Sequence, residues 1–501
     1  MPVGVCRADR MRPRCSDIDM IGPVRAASAA IVVFLASAAV LVLEILAARE
    51  MAPYVGVSLN TYTGIIGTVL AGIAAGTWIG GWAADRISPN KLLGPILIAG
   101  GLLVITSPPL VTGIGQDLHA DSLKAIVALS ATTVFLPAFV LSGVTPIVAK
   151  MQLHDLKVTG SVVGRLSAFA TAGALVGTFG TGFVLTAHLH TRVILAGVGI
   201  VLVVAGAVLW WRLLRSARAV PIVLLVAAMG ASVAAQQVRG PCKVESGYFC
   251  IQVLSISGNV RILMLDNVEH SMVNLRNPKV LALAYTEVMA AATQTIVAPG
   301  KPIAALNIGG GAFALPRYFA ATRPGSTNKV IEIDPAVVDI ARSDFGLRSD
   351  PRLRTEIGDA RVLVKREPPR SYDVIVGDAF SGRSPPWHLT TKQFLAQLRM
   401  LLEPRGAYLM NLIDGGNRFL SAEAATMRQV FPHVVLFEMP SEPHNHVLAG
   451  SNAPLDVPAI AARSARLGSK AMPVTAAGLQ RLIGHATPLD DDFAPVDQLV
   501  T

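Results

Sequence analysis

The pattern of apolar residues divides the chain into two halves. The first half contains long apolar segments with charged residues only between them, and each approaches the roughly 20 residues needed to cross a hydrocarbon core of about 30 Å. The segments are approximately 26–48, 61–82, 92–111, 126–148, 166–185, 193–211 and 220–235. Buried helices of a soluble protein rarely follow one another in this way. We therefore predict a basic N-terminal segment over 1–25 and a membrane domain of about seven transmembrane helices over 26–237.

The second half, residues 238–501, has short apolar runs that alternate with glycine turns and helix-forming stretches. Alternating apolar and polar residues over 244–268 predict a small layer of antiparallel strands. Residues 300–450 predict a core of five parallel strands, ending near residues 308, 333, 357, 378 and 412. The predicted fold is a multi-span α-helical membrane domain followed by an α/β Rossmann-like domain with a small N-terminal β-layer.

Glycine and acidic residues concentrate where the predicted strands end. Gly309, Gly310 and Gly311 separate the first strand from a helix, and Glu332 follows about 20 residues later, a spacing at which a carboxylate can accept both hydroxyls of a ribose. Two further acids follow the third and fourth strands, Asp359 and Asp378. Because ligands of open parallel sheets lie beyond the carboxyl ends of the strands, these residues predict a nucleoside-binding site.

Composition agrees with the division into two halves. The 501 residues are 52% hydrophobic and only 15% charged, which is too apolar for a wholly soluble protein of this length. The formal net charge is +10, but most of the basic residues lie in the N-terminal segment and between the spans, where anionic lipid is the natural partner. We expect a lipid bilayer as a partner and no nucleic acid.

Charge and cysteine placement bear on where the second half lies. With seven spans, the positive-inside rule puts the N-terminus in the cytoplasm and the C-terminal domain outside a cell (inner) membrane. If the segment over 220–235 lies along the membrane interface instead of crossing the bilayer, the C-terminal domain is predicted to be in the cytoplasm. Cys242 and Cys250 are either a disulfide, which requires an oxidising compartment, or two unpaired thiols, and both alternatives remain open.

Motifs in the second half resemble those of the spermidine synthases, the polyamine aminopropyltransferase family. They are Glu-Ser-x-Tyr at 245–248, Leu-Asp at 265–266, Gly-Gly-Gly at 309–311, Ile-Glu-Ile-Asp-Pro at 331–335, Gly-Asp-Ala at 358–360 and Tyr-Asp-Val-Ile-Val-Gly-Asp at 372–378. The resemblance covers about residues 244–450. With its multi-span first half, the whole chain resembles the membrane-fused spermidine synthase-like proteins.

The resemblance implies a sulfonium nucleoside as donor. Decarboxylated S-adenosylmethionine, or S-adenosylmethionine, would be a cosubstrate, with no permanently bound cofactor and no metal. Gly309 and Gly311 would contact the donor's aminoacyl-side chain, and Glu332 would bind the ribose. Asp359 with Ala360 would contact the adenine.

The resemblance also implies a small amine as acceptor. Asp378 matches the family's proton acceptor, which is needed because an alkylammonium has no lone pair until it loses a proton. Tyr248 and Ser381 are expected on the acceptor side. Phe249 stands where the family has a glutamine, and three positions where the family has acids are not acidic here: Leu281, Ala312 and Ser381. We therefore expect weaker contact with the second ammonium of a diamine.

Two hypotheses of function follow. The first is a membrane-bound transferase that moves an aminopropyl group from decarboxylated S-adenosylmethionine to an amine such as putrescine, with methyl transfer from S-adenosylmethionine as a close variant. The second is a transporter or ligand-binding membrane protein whose C-terminal domain retains the fold without turnover. Glu332, Asp359 and Asp378 favour the enzyme, whereas the missing diamine ligands favour the binding protein. A homodimer through the β-layer is also expected.

Overall fold

The first half of the chain is helical. The computed structural model describes residues 26–117, 123–153, 158–213, 230 and 240–500. The helices are α1 (Ala26–Val55), α2 (Leu59–Arg86), α3 (Pro89–Asp117), α4 (Leu123–Ser130), α5 (Leu136–Ser142), α6 (Val144–Gln152), α7 (Thr159–Phe179), α8 (Thr186–His188) and α9 (Thr191–Leu213). Single π-helical turns connect α4 to α5 and α7 to α8.

These helices provide candidate membrane spans. Within the described residues, six stretches are long and apolar enough to cross a bilayer: Ser28–Val55, Leu59–Arg86, Pro89–Gln116, Lys124–Gln152, Thr159–His188 and Thr191–Leu213. This indicates a membrane protein. The predicted seventh span at 220–235 and the basic segment at 1–25 lie outside the described residues. The sidedness that follows from an odd number of spans therefore stays a prediction.

Small residues allow helix α2 to approach α5 closely. A Cβ atom at Gly76 would lie 1.9 Å from the carbonyl oxygen of Phe139, and one at Gly80 would lie 2.5 Å from the Cα of Gly143. Both distances are shorter than any real contact, so only glycine fits. Close backbone approach of this kind is the usual basis of helix association in a bilayer, where apolar side chains gain nothing from leaving lipid.

The chain forms two compact units. The first contains the described residues of Met1–Ile45, Val69–Ser107 and Val134–Gln237. The second contains those of Leu46–Thr68, Pro108–Thr133 and Val238–Thr501.

A four-stranded antiparallel sheet opens the C-terminal part of the second unit. Its strands are β1 (Val244–Glu245), β2 (Cys250–Ser257), β3 (Val260–Leu265) and β4 (Val268–Asn274), paired in chain order. A disulfide joins Cys242, which precedes β1, to Cys250, the first residue of β2. Of the two alternatives for these cysteines, the structure contains the bonded one.

An eight-stranded sheet follows. Five strands are parallel: β5 (Ala304–Ile308), β6 (Thr327–Glu332), β7 (Leu353–Ile357), β8 (Tyr372–Gly377) and β9 (Leu402–Ile413). Three more are antiparallel: β10 (His433–Glu438), β11 (Asn445–Ser451) and β12 (Met472–Pro473). The order is β12-β10-β11-β9-β8-β5-β6-β7. The five predicted parallel strands are thus present, and three antiparallel strands that the prediction did not include extend them to a mixed sheet. The short β10–β11 connection permits only antiparallel pairing of these two strands.

Helices cover both faces of this sheet. They are α10 (Ala284–Ile296), α11 (Ala314–Thr322), α12 (Pro335–Ser343), α13 (Ala360–Leu363), α14 (Lys392–Leu401), α15 (Arg418–Val430), α16 (Val457–Leu467), α17 (Ala476–Ile483) and α18 (Val496–Leu499). Successive residues of a strand point to opposite faces. On β8, Ile375 packs in the cluster that contains Phe394 of α14, whereas Val374 and Val376 pack in the cluster that contains Met289 of α10.

Several ionisable side chains of this domain are buried, and Glu423 is the one without a polar partner for either carboxyl oxygen among the described residues. Glu423 lies on α15 and is fully buried. Burial raises the pKa of Glu423 well above its usual range. The folded state therefore keeps a proton that the unfolded chain releases, and the stability falls as the pH rises from the unfolded-state pKa towards the folded-state pKa.

We expect Glu423→Gln to raise the melting temperature of the full-length protein in detergent, and to raise it more at pH 8 than at pH 5. The neutral amide removes the cost of either ionising or protonating the buried group. Glu438→Gln on β10, where the side chain is exposed, should change the melting temperature little at either pH. An equal effect of Glu423→Gln at both pH values would contradict the assignment.

Candidate active site

The carboxyl edge of the parallel strands lines a cavity. The described residues that line it include the predicted proton acceptor Asp378 and all the predicted donor ligands except Gly310: Gly309, Gly311, Glu332, Asp359 and Ala360. The four-stranded sheet contributes Leu265 and His270 to the lining, and the turn before β2 contributes Phe249. The strand ends thus bring together residues that are up to about 70 positions apart in sequence, as the parallel topology requires.

The turn after β5 can be built only with glycine. Gly309 has a φ of +92°, and a Cβ atom there would lie 2.2 Å from the carbonyl oxygen of Asp378. The backbone N–H of Asp378 in turn donates to the carbonyl of Ile308 at 2.8 Å. Gly311 has a φ of +49°, and its Cβ atom would lie 2.5 Å from the hydroxyl of Ser271 on β4. The glycine turn is therefore packed directly against the Asp378 backbone.

The carboxylate of Glu332 is positioned by backbone donors. It accepts hydrogen bonds from the N–H groups of Gly310 at 2.7 Å and Asp334 at 3.0 Å. Asp334 in turn accepts a hydrogen bond from the hydroxyl of Ser246. Burial raises the pKa of Glu332, and the backbone hydrogen bonds oppose that rise. Since a carboxylate offers about four acceptor positions, it can still accept from ribose hydroxyls.

Asp359 lies at the start of α13, on another wall of the cavity. Its Oδ1 accepts the backbone N–H of Arg361 at 2.7 Å, and its Oδ2 lies 3.3 Å from Nε2 of His388. His388 also lines the cavity. The Arg361 guanidinium contacts the carboxylate of Asp491 at 2.6 Å. This ion pair connects the C-terminal segment to α13, which carries Arg361.

Asp378 receives two side-chain hydrogen bonds. The hydroxyl of Tyr285 on α10 donates to Oδ2 at 2.8 Å, and the amide of Asn411 on β9 donates to Oδ1 at 2.8 Å. Burial raises the pKa of Asp378, which makes the ionised carboxylate a better proton acceptor, although both hydrogen bonds oppose the rise. Burial and the Asp378 charge also raise the pKa of Tyr285, so its hydroxyl remains a donor.

The sequence-based prediction missed Tyr285 and Asn411 as site residues. Neither follows a strand end, which was the criterion for choosing candidates. Asn411 is a polar residue inside the apolar stretch of β9, at a position that is 4% exposed. A polar amide near the carboxyl end of an otherwise apolar predicted strand was the available signal for it.

Tyr248 and Ser381, predicted on the acceptor side, line a neighbouring cavity instead of contacting Asp378. This neighbouring cavity shares Phe249 and Phe380 with the first, and Asp378 is not among its described lining residues. The Tyr248 side chain is exposed, and the backbone of Ser381 bonds to Ser384 in the loop after β8. Their roles stay predictions.

Comparison with known proteins places this domain among transferases. No family model matches the chain. It is 36% identical over 150 residues to the polyamine aminopropyltransferase of Vibrio vulnificus, which covers 30% of this chain and 50% of that protein. It is 31% identical over 199 residues to the polyamine aminopropyltransferase of Neisseria meningitidis serogroup B, covering 39% of this chain and 73% of that one.

Two further proteins are similar to this chain, one a methyltransferase and the other a probable spermidine synthase. The chain is 31% identical over 143 residues to the eEF1A lysine and N-terminal methyltransferase of Danio rerio, covering 27% of this chain and 21% of that protein. A crystal structure of a probable spermidine synthase from Corynebacterium glutamicum matches with 26% identity and a TM-score of 0.46, covering 50% of this chain and 97% of that one.

The fold and the relatives together define the class of the C-terminal domain: it is an α/β domain of the aminopropyltransferase and methyltransferase type. Within that class the chain belongs to the polyamine aminopropyltransferase family, because it matches 73% of the Neisseria protein at 31% identity. The predicted resemblance is confirmed. This chain spans only half the length of the Vibrio relative and about a fifth of the Danio one.

Proposed function

We propose that the protein is a membrane-bound transferase that moves an aminopropyl group from decarboxylated S-adenosylmethionine to a small amine. One observation supports this most directly: Asp378 lines both the nucleoside cavity and a second cavity of about 330 Å³. A volume of this size falls in the usual range for small-molecule sites, about 300–1,000 Å³. A carboxylate at the boundary of two cavities lies where an acceptor amine would meet the donor carbon.

On the donor side, the residues present suit a nucleoside without a free carboxylate. Gly309 and Gly311 allow the chain to approach the donor closely, and Glu332 presents acceptors for the ribose. No lysine or arginine occurs among the described residues that line either cavity. S-adenosylmethionine carries a carboxylate that would enter beside Asp378 without a cation, and a buried unpaired charge is costly. Decarboxylated S-adenosylmethionine lacks that group.

On the acceptor side, Asp378 is the group that can move a proton. The acceptor arrives as an ammonium, which the Asp378 carboxylate attracts and deprotonates. The freed lone pair then forms a nitrogen–carbon bond to the carbon beside the sulfonium. The carbon–sulfur bond breaks with its electron pair going to sulfur, which leaves a neutral thioether. Asp378 ends protonated and the new secondary amine carries the positive charge.

Methyl transfer from S-adenosylmethionine is a second candidate, favoured by the similarity to the Danio methyltransferase. The two donors share the nucleoside and the sulfonium, so the same Glu332 and Asp378 would serve both. Product formation decides between them. Full-length protein in vesicles, supplied on both faces with each donor and a panel of amines, should form product with decarboxylated S-adenosylmethionine. Product from S-adenosylmethionine alone would establish the methyltransferase, and no product from either would overturn both.

Glu332→Gln is expected to weaken binding of a thioether nucleoside by about 1–3 kcal/mol, the usual cost of a lost hydrogen bond to a charged group. Glutamine retains the shape of the side chain but presents one acceptor oxygen instead of two. Calorimetry with 5′-methylthioadenosine and the full-length protein in detergent measures the change. Glu356→Gln on neighbouring β7, outside both cavities, is the matched control. Equal affinity of the parent protein and Glu332→Gln would remove Glu332 from the site.

A further inference from the structure

The connection between α1 and α2 contacts the C-terminal domain. Leu46–Thr68, which includes the end of α1 and the start of α2, belongs to the same compact unit as that domain. A Cβ atom at Gly56 would lie 3.0 Å from the Oδ1 of Asn267 in the β3–β4 turn. A Cβ atom at Gly382, in the loop after β8, would lie 2.9 Å from the carbonyl oxygen of Val57. The connection therefore packs against both the small sheet and the loop after β8.

A small cavity lies between this connection and the small sheet, and it has charged residues on both sides. Its volume is about 100 Å³, and its described lining includes Arg49 of α1 and Asp266 of the β3–β4 turn. Asp266 is 1% exposed, its Oδ1 accepts the backbone N–H of Cys250 at 2.9 Å, and its Oδ2 has no hydrogen-bond partner among the described residues. Burial raises the pKa of Asp266 to about 6, and the Arg49 charge opposes that rise. Arg49 therefore supplies a positive charge near a buried carboxylate of the small sheet.

Arg49 also contacts the turn that precedes β2. Its guanidinium donates to the carbonyl of Ser246. The Ser246 hydroxyl accepts the backbone N–H of Phe249 at 2.8 Å and donates to the carboxylate of Asp334. Asp334 donates its N–H to Glu332 at 3.0 Å, and Phe249 lines the nucleoside cavity. Two short chains of contacts therefore lead from α1 to the nucleoside cavity, one to its wall and one to the predicted ribose ligand.

We propose that Arg49 is a positioning residue for the donor nucleoside and acts through Ser246 on the turn before β2. The inference rests on the proposed function, because it concerns the affinity of the same nucleoside cavity. Arg49 is not among the described residues that line that cavity. Without its guanidinium, the Ser246 carbonyl loses a donor and Asp266 loses a nearby cation, so the turn that carries Phe249 can shift. Donor binding therefore requires the end of α1 as well as the C-terminal domain.

The test measures the affinity of the full-length protein in detergent for 5′-methylthioadenosine by calorimetry. Arg49→Gln is expected to weaken binding by about 2–30-fold, the usual range for a substitution that acts through other residues. Arg49→Lys retains a charge near Asp266 and a donor for the Ser246 carbonyl, so it should restore most of the affinity. Arg86→Gln is the matched control, because Arg86 at the end of α2 donates to the Trp82 carbonyl of its own helix. It should leave the affinity unchanged.

A double-substitution cycle separates positioning from a general loss of structure. Ser246→Ala leaves α1 intact but removes the hydroxyl that joins the turn to Asp334, so it should weaken nucleoside binding on its own. Adding Arg49→Gln to Ser246→Ala should then weaken binding little further, since coupled substitutions are not additive. Fully additive losses, or equal affinities of the wild type and Arg49→Gln, would overturn the inference. A loss of affinity in Arg49→Gln, in a protein whose wild type forms no product, would support the inference and refute the proposed transfer.

Discussion

Asp378→Asn is expected to lower product formation by about 10²–10⁴-fold, the usual contribution of a positioned general base. Asparagine fills the same volume at the end of β8 and can still accept one hydrogen bond, from Tyr285 or from Asn411. It cannot take a proton from an ammonium. The affinity for 5′-methylthioadenosine should therefore remain close to that of the parent, and the loss should appear in the turnover number.

The rate of product formation in vesicles, with decarboxylated S-adenosylmethionine and putrescine, measures this effect. Asp339→Asn is a suitable control because Asp339 lies on α12 with its side chain 75% exposed. Its replacement should change neither turnover nor nucleoside affinity. Full activity of Asp378→Asn would exclude Asp378 as the base. Loss of nucleoside binding in that variant would show that the carboxylate supports the cavity instead of the chemistry.

Gly309→Ala is expected to abolish nucleoside binding. A methyl group there would lie 2.2 Å from the Asp378 carbonyl, and the backbone would keep a φ of +92° that is unfavourable for alanine. The end of β8 would have to move, and a displacement of about 1 Å at a site costs on the order of 100-fold in function. Overpacking should also lower the stability by about 1–3 kcal/mol. Calorimetry and thermal unfolding in detergent measure the two effects.

Gly300→Ala separates backbone strain from steric overlap. Gly300 also has a left-handed conformation, with a φ of +77°, but a Cβ atom there would meet nothing within 4 Å. It should lose only the backbone contribution of about 1–2 kcal/mol and retain nucleoside binding. If Gly309→Ala behaved like Gly300→Ala, the close approach of the glycine turn to Asp378 would be irrelevant to binding.

Local pattern was sufficient to predict the parallel half of the large sheet. The apolar runs before Gly309, Glu332 and Asp378 each became a strand, as did the more polar stretch before Asp359, and their ends form one edge. Such runs are informative because a parallel strand is buried on both faces and reads as continuously apolar. The carboxyl ends of parallel strands lie at one edge of the sheet. Polar residues that follow different strands can therefore be grouped into one site from the sequence alone.

Contacts across the fold could not be predicted in this way. Tyr285 reaches Asp378 from a helix, Asn411 reaches it from near the carboxyl end of β9, and Glu442 lies in a turn between two antiparallel strands. Each depends on how one element packs on another, which periodicity along the chain does not contain. The position of β11 between β9 and β10 is of the same kind, since it follows from sheet pairing and not from local sequence.

The hydrogen bond between Ser246 and Asp334 links the segment before β2 to the residue next to Glu332, so ligand binding in the cavity is expected to be coupled to the packing of the small sheet. Ser246 precedes β2, Asp334 donates its N–H to Glu332, and Phe249 and His270 of the small sheet line the nucleoside cavity. A ligand that binds only the docked arrangement stabilises that arrangement by mass action. On the proposed function, a bound donor nucleoside would therefore stabilise the packing of the two sheets, and its release would weaken that packing.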